Sequence, residues 1–197
     1  MAEPAVRYPL DDVAHPGTIG TLPADGPGIV LTYRRGLALC KLMARKRQAA
    51  ALAERLGIGG APGRATVTES FTACPLSPGQ WLLIARDGRD GAFARGMAER
   101  AGELGHVSEQ SHGRQAIRIS GPHARDLMAK GCRLDLHPRA TAPGFCAQTQ
   151  MAQIGVLILQ VDDRPTYDLF VFAGFAEAFW HWLTEAAAEY GCVVRID

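Results

Sequence analysis

The sequence predicts an α+β fold built from two ferredoxin-like split-βαβ units that share one core. Three observations carry that expectation. Strand and helix patterns run strand-helix-strand, strand-helix-strand, and the series occurs twice along the chain. The 197 residues are 47% apolar and 21% charged, enough to bury a core without disulfide or metal staples. The helical segments each carry one apolar stripe, which places them on one side of antiparallel sheet.

Residues 1–27 differ from the rest. Pro4, Pro9, Pro16, Pro23 and Pro27 alternate with Gly17, Gly20 and Gly26, and no helix or strand period survives. The segment reads as an extended arm with too little apolar surface to fold on itself, either mobile or laid along a partner. Residues 28–197 then form a single α+β domain. Ile29-Val30-Leu31-Thr32-Tyr33 is read as a strand and Arg34-Arg35-Gly36 as a turn. The apolar run 37–43 fits either period and is read as a strand, followed by a helix over 45–56 that Gly57 stops. Beyond the glycine-rich loop 59–63, Val67 and Phe71 mark one strand and residues 81–85 another, with Pro75, Pro78 and Gly79 between them.

A helix over 92–104 aligns Phe93, Met97, Ala101 and Leu104 on one face, and Gly105 ends it. Residues 106–110 and 115–120 are strands around the turn Ser111-His112-Gly113. Ser120 is placed to cap the next helix, with Pro122 in its first turn. Ala124, Leu127 and Met128 point inward there, and Gly131 stops it. The link 132–146 lacks any period. Residues 154–161 form a continuous apolar strand, Asp162-Asp163-Arg164-Pro165 a turn, and 167–172 the next strand. The last helix carries the stripe Phe175, Phe179, Trp182, Leu183, Ala186, Ala187 and Tyr190, closed by Gly191. Cys192–Ile196 ends the chain as a strand.

Charge is nearly balanced, 21 Lys+Arg against 20 Asp+Glu. The basic run Arg45-Lys46-Arg47 with Arg34-Arg35 reads as a solvated face, so nucleic acid is not an expected partner. No segment approaches the ~20 continuous apolar residues of a membrane helix, and the N-terminus shows no secretory signal. The cysteines, Cys40, Cys74, Cys132, Cys146 and Cys192, are odd in number and dispersed, which fits reduced thiols in a cytoplasmic protein.

The search for chemistry yields no assembled site. Gly57-Ile58-Gly59-Gly60-Ala61-Pro62 approaches a dinucleotide fingerprint, but it ends a helix instead of opening one. No P-loop occurs. His123, Cys132, His137 and Cys146 are of metal-ligand type, yet none forms the close pair of a structural zinc site. Ser111, His112 and Glu109 read as a polar turn more readily than as a nucleophile with its base, because neighbouring strand residues face opposite ways. Asp162-Asp163 reads as turn chemistry. What remains are surfaces. Trp180 lies about 140° around the last helix from Phe175, off the buried stripe that holds Trp182. Trp180 and His181 on that helix, and His137, Pro138 and Arg139 in the 132–146 link, are the partner-contact candidates, beside the arm.

Several motifs carry a resemblance. Gln110-Ser111-His112-Gly113-Arg114, Ile119-Ser120-Gly121-Pro122, Lys130-Gly131-Cys132 and Asp135-Leu136-His137-Pro138-Arg139 resemble the gamma subunit of heterotetrameric sarcosine oxidase. Pro143-Gly144 with Cys146-Ala147-Gln148-Thr149, Tyr167-Asp168-Leu169-Phe170-Val171 and Phe179-Trp180-His181-Trp182-Leu183 continue the likeness. It runs from about residue 78 to residue 191 and covers the first ~75 residues in layout only. The resemblance implies a fold similar to the folate-binding domain of the glycine-cleavage aminomethyltransferase. It also implies a complex that oxidatively demethylates sarcosine, passing the one-carbon unit to tetrahydrofolate and electrons through flavin to oxygen. In that family FAD, FMN, NAD and the folate site belong to the alpha and beta subunits and zinc to the delta subunit. This chain is accordingly expected to be a structural, non-catalytic subunit with no cofactor of its own. The aminomethyltransferase's N-terminal acidic residue has no counterpart in residues 1–75. The alternative from a different class is a stand-alone folate-binding or aminomethyltransferase-like protein.

Overall fold

The computed structural model describes residues 7–59, 61–86 and 91–197; residues 1–6 of the expected arm and Gly60 of the glycine-rich loop lie outside them. In chain order the first half contains β1 (Gly17–Ile19), β2 (Ile29–Arg34), β3 (Ala38–Ala44), α1 (Ala49–Leu56), β4 (Thr66–Val67), β5 (Thr72–Ser77), β6 (Gln80–Ala85), α2 (Ala92–Ala101) and β7 (Gly105–Glu109). The second half adds β8 (Arg114–Ser120), α3 (Ala124–Ala129), β9 (Cys146–Met151), β10 (Ile154–Asp162), β11 (Thr166–Phe172), α4 (Ala176–Ala187) and β12 (Cys192–Ile196).

These elements form two sheets. One has the order β4-β5-β6-β3-β7, the other β1-β12-β2-β8-β11-β10-β9. In each, the series strand, helix, strand, strand, helix, strand is laid out as a split-βαβ unit, with one further strand, β4 or β9, added at the outer edge. The second unit is interrupted: β2 inserts between β8 and β12, antiparallel to the first and parallel to the second. The α+β class and the two units are as the sequence predicts.

Side-chain alternation decides how the layers stack. Along β10, Val156 and Ile158 join the core under α3 and α4, whereas Leu157 and Leu159 face the other sheet. Along β6, Trp81 and Leu83 pack toward α1 and α2, whereas Leu82 and Ile84 face the other sheet. Residues 156–159 of β10 and 81–85 of β6 are therefore continuously apolar because both faces are covered. The result is four layers, helices outside and sheets inside. The shared core is the seam where the sheets meet, and each unit has a helix-side core of its own.

Several local expectations change. The arm is built into the fold. Leu10 and Ala14 are fully buried in the core under α3 and α4, and β1 pairs antiparallel with β12. Arg35 ties the arm further through Asp11 at 2.6 Å and through stacking near Tyr8. Isolated apolar anchors at irregular spacing are enough, though they leave no period to read. Strands β7 and β8 do not pair. β7 joins β3 and β8 joins β2 and β11, so Ser111-His112-Gly113 is a crossover between sheets.

Pro75 lies within β5 opposite Trp81, beside a register shift, and not in a turn. Strand β4 reaches only Thr72 and Ala73, so the missing N–H of Pro75 breaks no ladder bond on that side. Ser120 does not cap α3; it stays in β8 opposite Val30, and His123 holds the N-cap position. Gly131 lies two residues beyond the end of α3, and a Cβ there would come within 2.6 Å of the Trp182 ring. Close packing, not only helix termination, requires glycine at that position. Gly57 does end α1, in the left-handed conformation that favours glycine.

Candidate functional site

The seam is apolar over most of its area and polar at one place. On four adjacent strands the residues turned toward it are Arg34 of β2, Arg118 of β8, Asp168 of β11 and Gln160 of β10, and they line a cleft of about 540 Å³. Register brings them together: Asp168 lies directly opposite Arg118. The Arg118 guanidinium donates to both carboxylate oxygens of Asp168, from Nε at 2.7 Å and Nη2 at 2.8 Å. Arg34 Nη1 donates to the same carboxylate at 2.9 Å, and its Nε donates to Asp197 at 3.1 Å. Two cations and two anions thus close on one another. The Asp168 hydrogen bonds and charge hold the Arg118 guanidinium above its usual pKa against the opposing effect of burial. Both oxygens of this carboxylate are engaged by guanidiniums from two neighbouring strands, so the cluster is a clamp between strands.

A second cleft, of about 750 Å³, lies between the start of α1, the β5–β6 turn and the outer strand β9. Its walls are mostly small and apolar: Ala50, Ala53, Pro75, Pro78 and Ala147. Cys146 sits in this wall and contacts Cys74 of β5 across the seam. Cys74 keeps its proton through its hydrogen bond to Cys146 and through burial, and that same bond favours the Cys146 thiolate. Two residues on in both strands, Gln148 Nε2 donates to the Leu76 carbonyl at 2.7 Å, which fixes the alignment of β5 and β9.

The residues singled out in the sequence are dispersed. Ser111 is buried and clamps β3: its Oγ accepts from the Leu39 N–H at 2.9 Å and donates to the Leu39 carbonyl at 3.3 Å. Its own N–H donates to Glu109, so the hydroxyl serves structure. His123, Cys132, His137 and Cys146 are not brought together. His123 pairs with Asp126 and stacks on Tyr190, Cys132 lies in the helix-side core, and Cys146 lies in the seam. Among the described residues no group of three or more His, Cys, Asp or Glu could hold a metal ion. The loop after α1 follows a helix C-terminus, so no helix N-terminus is aimed at a phosphate there.

His137, Pro138 and Arg139 are exposed in a turn where the His137 Nδ1 accepts from the Arg139 N–H. His181 is exposed on α4. Trp180 is a correction: it is 2% exposed and belongs to the core, while Trp182 is the half-buried one, stacked on Phe179. The buried stripe is Ala176, Phe179, Trp180, Leu183 and Ala187. Phe175 set the phase in the sequence reading. It precedes the helix in a 3-10 turn and is 56% exposed, so the stripe is rotated relative to it. The seam clamp was missed because Arg34, Arg118 and Asp168 are far apart in sequence; a single Asp inside the apolar run 167–172 was the available signal.

Fold and seam together define a two-unit ferredoxin-like α+β module. Glycine cleavage system aminomethyltransferase T from Bartonella henselae has the same fold, with a TM-score of 0.64 at 14% identity over 86% of this chain and 48% of that one. A closer likeness is to a chain of heterotetrameric sarcosine oxidase from Corynebacterium sp. U-96, with a TM-score of 0.73 at 27% identity over 82% of this chain and 85% of that one. The sarcosine oxidase subunit gamma of Corynebacterium sp. (strain P-1) is 34% identical over 145 residues, 72% of this chain and 70% of that protein. The profile of the family described as "Sarcosine oxidase, gamma subunit family" matches residues 43–189. The chain belongs to the sarcosine oxidase gamma subunit family.

Proposed function

We propose that this chain is the structural, non-catalytic gamma subunit of a heterotetrameric sarcosine oxidase-type complex, assembled with alpha, beta and delta subunits in the cytoplasm. The complex oxidatively demethylates sarcosine, passes the one-carbon unit to tetrahydrofolate and delivers electrons to oxygen. FAD, FMN, NAD, tetrahydrofolate and zinc are held by the partner subunits. The observation that carries the reading, beside family membership, is the use made of the reactive-type side chains. Ser111 binds backbone, Asp168 binds two guanidiniums, and all five thiols are buried. The exposed turn at His137, Pro138 and Arg139 and the exposed His181 are proposed as contact points.

The test is co-expression of the full chain with the other subunits, against the chain alone. Sarcosine-dependent oxygen consumption is expected from the assembled complex and not from the purified chain, which should be colourless. A yellow, active monomer overturns the reading. Calorimetric titration of the purified chain with tetrahydrofolate is expected to give no saturable heat; saturable heat would favour a stand-alone folate-binding protein instead.

A further inference from the structure

Two guanidiniums among the described residues are less than a tenth exposed, Arg34 at 8% and Arg114 at 9%. They are treated very differently. Arg34 meets two carboxylates. Arg114 forms no ion pair among the described residues. Its guanidinium carbon stands 4.2 Å from the centroid of the Phe172 ring, and its Nε is buried with no hydrogen-bond partner. Burial holds this guanidinium below its ordinary pKa, and no anion among the described residues opposes it. Removing a cation from water without a counter-ion is costly, and stacking on one ring returns only part of that cost.

The surroundings of Arg114 are unusual in a second respect. Of the seven phenylalanines in the chain, Phe172 and Phe175 are the ones exposed among the described residues, at 48% and 56%. Both belong to the stretch that leaves the C-terminal end of β11 beside Arg114. Phe172 pairs with Arg114 in the ladder, and the Ala173 N–H donates to the Gly113 carbonyl at 3.0 Å. The patch is therefore anchored to the start of β8 and presented by rigid backbone. Buried Arg with exposed aromatic rings is the composition of the energetic centre of a protein interface.

We propose that Arg114, Phe172 and Phe175 form the docking surface for a partner-subunit segment that presents a carboxylate beside an apolar side chain. The carboxylate closes on the unpaired guanidinium and the apolar group covers the rings. A small free acid would satisfy the cation but leave both rings in water. This inference rests on the subunit reading above and names the surface through which it operates.

The test uses the full chain, alone and with the remaining subunits of its complex co-expressed. In the chain alone, Arg114→Met replaces an unpaired buried charge by a side chain of similar length, and a thermal midpoint at or above wild type is expected. Toward the other subunits the same variant should bind about thirtyfold more weakly or worse, because a buried charge pair is lost. Phe175→Asp, at an exposed position, should weaken assembly while leaving the midpoint unchanged. A lowered midpoint for Arg114→Met overturns the proposal, since the guanidinium would then be satisfied within the chain. Wild-type affinity of Arg114→Met overturns this surface and leaves the subunit reading standing. Failure of the wild-type chain to bind overturns both.

Discussion

Asp168 is the only buried anion among the described residues, and its neighbours on β11, Tyr167 and Leu169, are buried in the helix-side core. Replacing it by Ala would leave the buried Arg34 and the half-buried Arg118 facing each other. Loss of one member of a buried charge cluster costs about 3–5 kcal/mol. The lower end, about 3 kcal/mol, is expected here because Arg118 reaches solvent and Arg34 keeps Asp197. Urea unfolding of Asp168→Ala measures this, and an unchanged midpoint would show that the clamp adds no stability. The thiols give a second outcome at this scale. Burial pushes Cys40 up to about 12, with the Glu109 charge adding to it, and burial pushes Cys192 up to about 11. Cys146 shifts the other way and lines a cleft. Alkylation of the native chain near pH 8 should therefore leave Cys40 and Cys192 unmarked until the fold opens. Equal labelling of all five, read by peptide mass, would contradict the assigned environments. Individual residues were the least legible part of the sequence: the Asp168 clamp joins positions 134 and 50 residues apart, and no local pattern encodes such a meeting.

Elements were legible in proportion to their burial and regularity. Strands β10, β11 and β12, each in a continuous or alternating apolar run, lie within a residue of where the sequence puts them. The polar outer strand β9 was not recognised because Ala147, Gln148, Thr149 and Gln150 face mostly outward, leaving Cys146 and Met151 as its buried ends. The arm was misread for a related reason. Proline and glycine mask five apolar contacts, from Tyr8, Leu10, Val13, Ala14 and Ile19, that have no common spacing. Its integration into the core makes a definite prediction. Leu10→Ala should destabilise the chain by about 2–5 kcal/mol, the usual range for a fully buried leucine. A mobile or partner-bound arm would instead leave the isolated chain's denaturation midpoint where it was. The α4 phase error has the same lesson at helical period: an aromatic residue just outside a helix is a poor marker of its buried face.

At the scale of the molecule, the decisive feature is where β2 goes. The chain lays this strand between β12 and β8 before it builds the five-stranded sheet, then returns to complete the seven-stranded one. Severing the chain near the Ser111 crossover would thus give a C-terminal piece with β8 and β12 separated by an empty strand position. Backbone groups on both would lose their ladder partners, and Ile29, Leu31 and Tyr33 would leave the helix-side core. The seam adds a second coupling, because Leu39, Leu82 and Ile84 of one sheet share a buried cluster with Leu157, Leu159 and Phe170 of the other. Two ferredoxin-like units are therefore visible in the topology but cannot behave as two folding units. Calorimetric heating of the full chain is expected to give one transition with equal calorimetric and van't Hoff enthalpies. The isolated segment 114–197 should give no cooperative transition. Two resolved transitions, or a cooperatively folding 114–197 fragment, would mean that the inserted strand and the seam do not couple the halves. The same coupling bears on assembly: a surface on β8 and β11 is held by both sheets, so a partner docking there meets a platform already fixed by the whole fold.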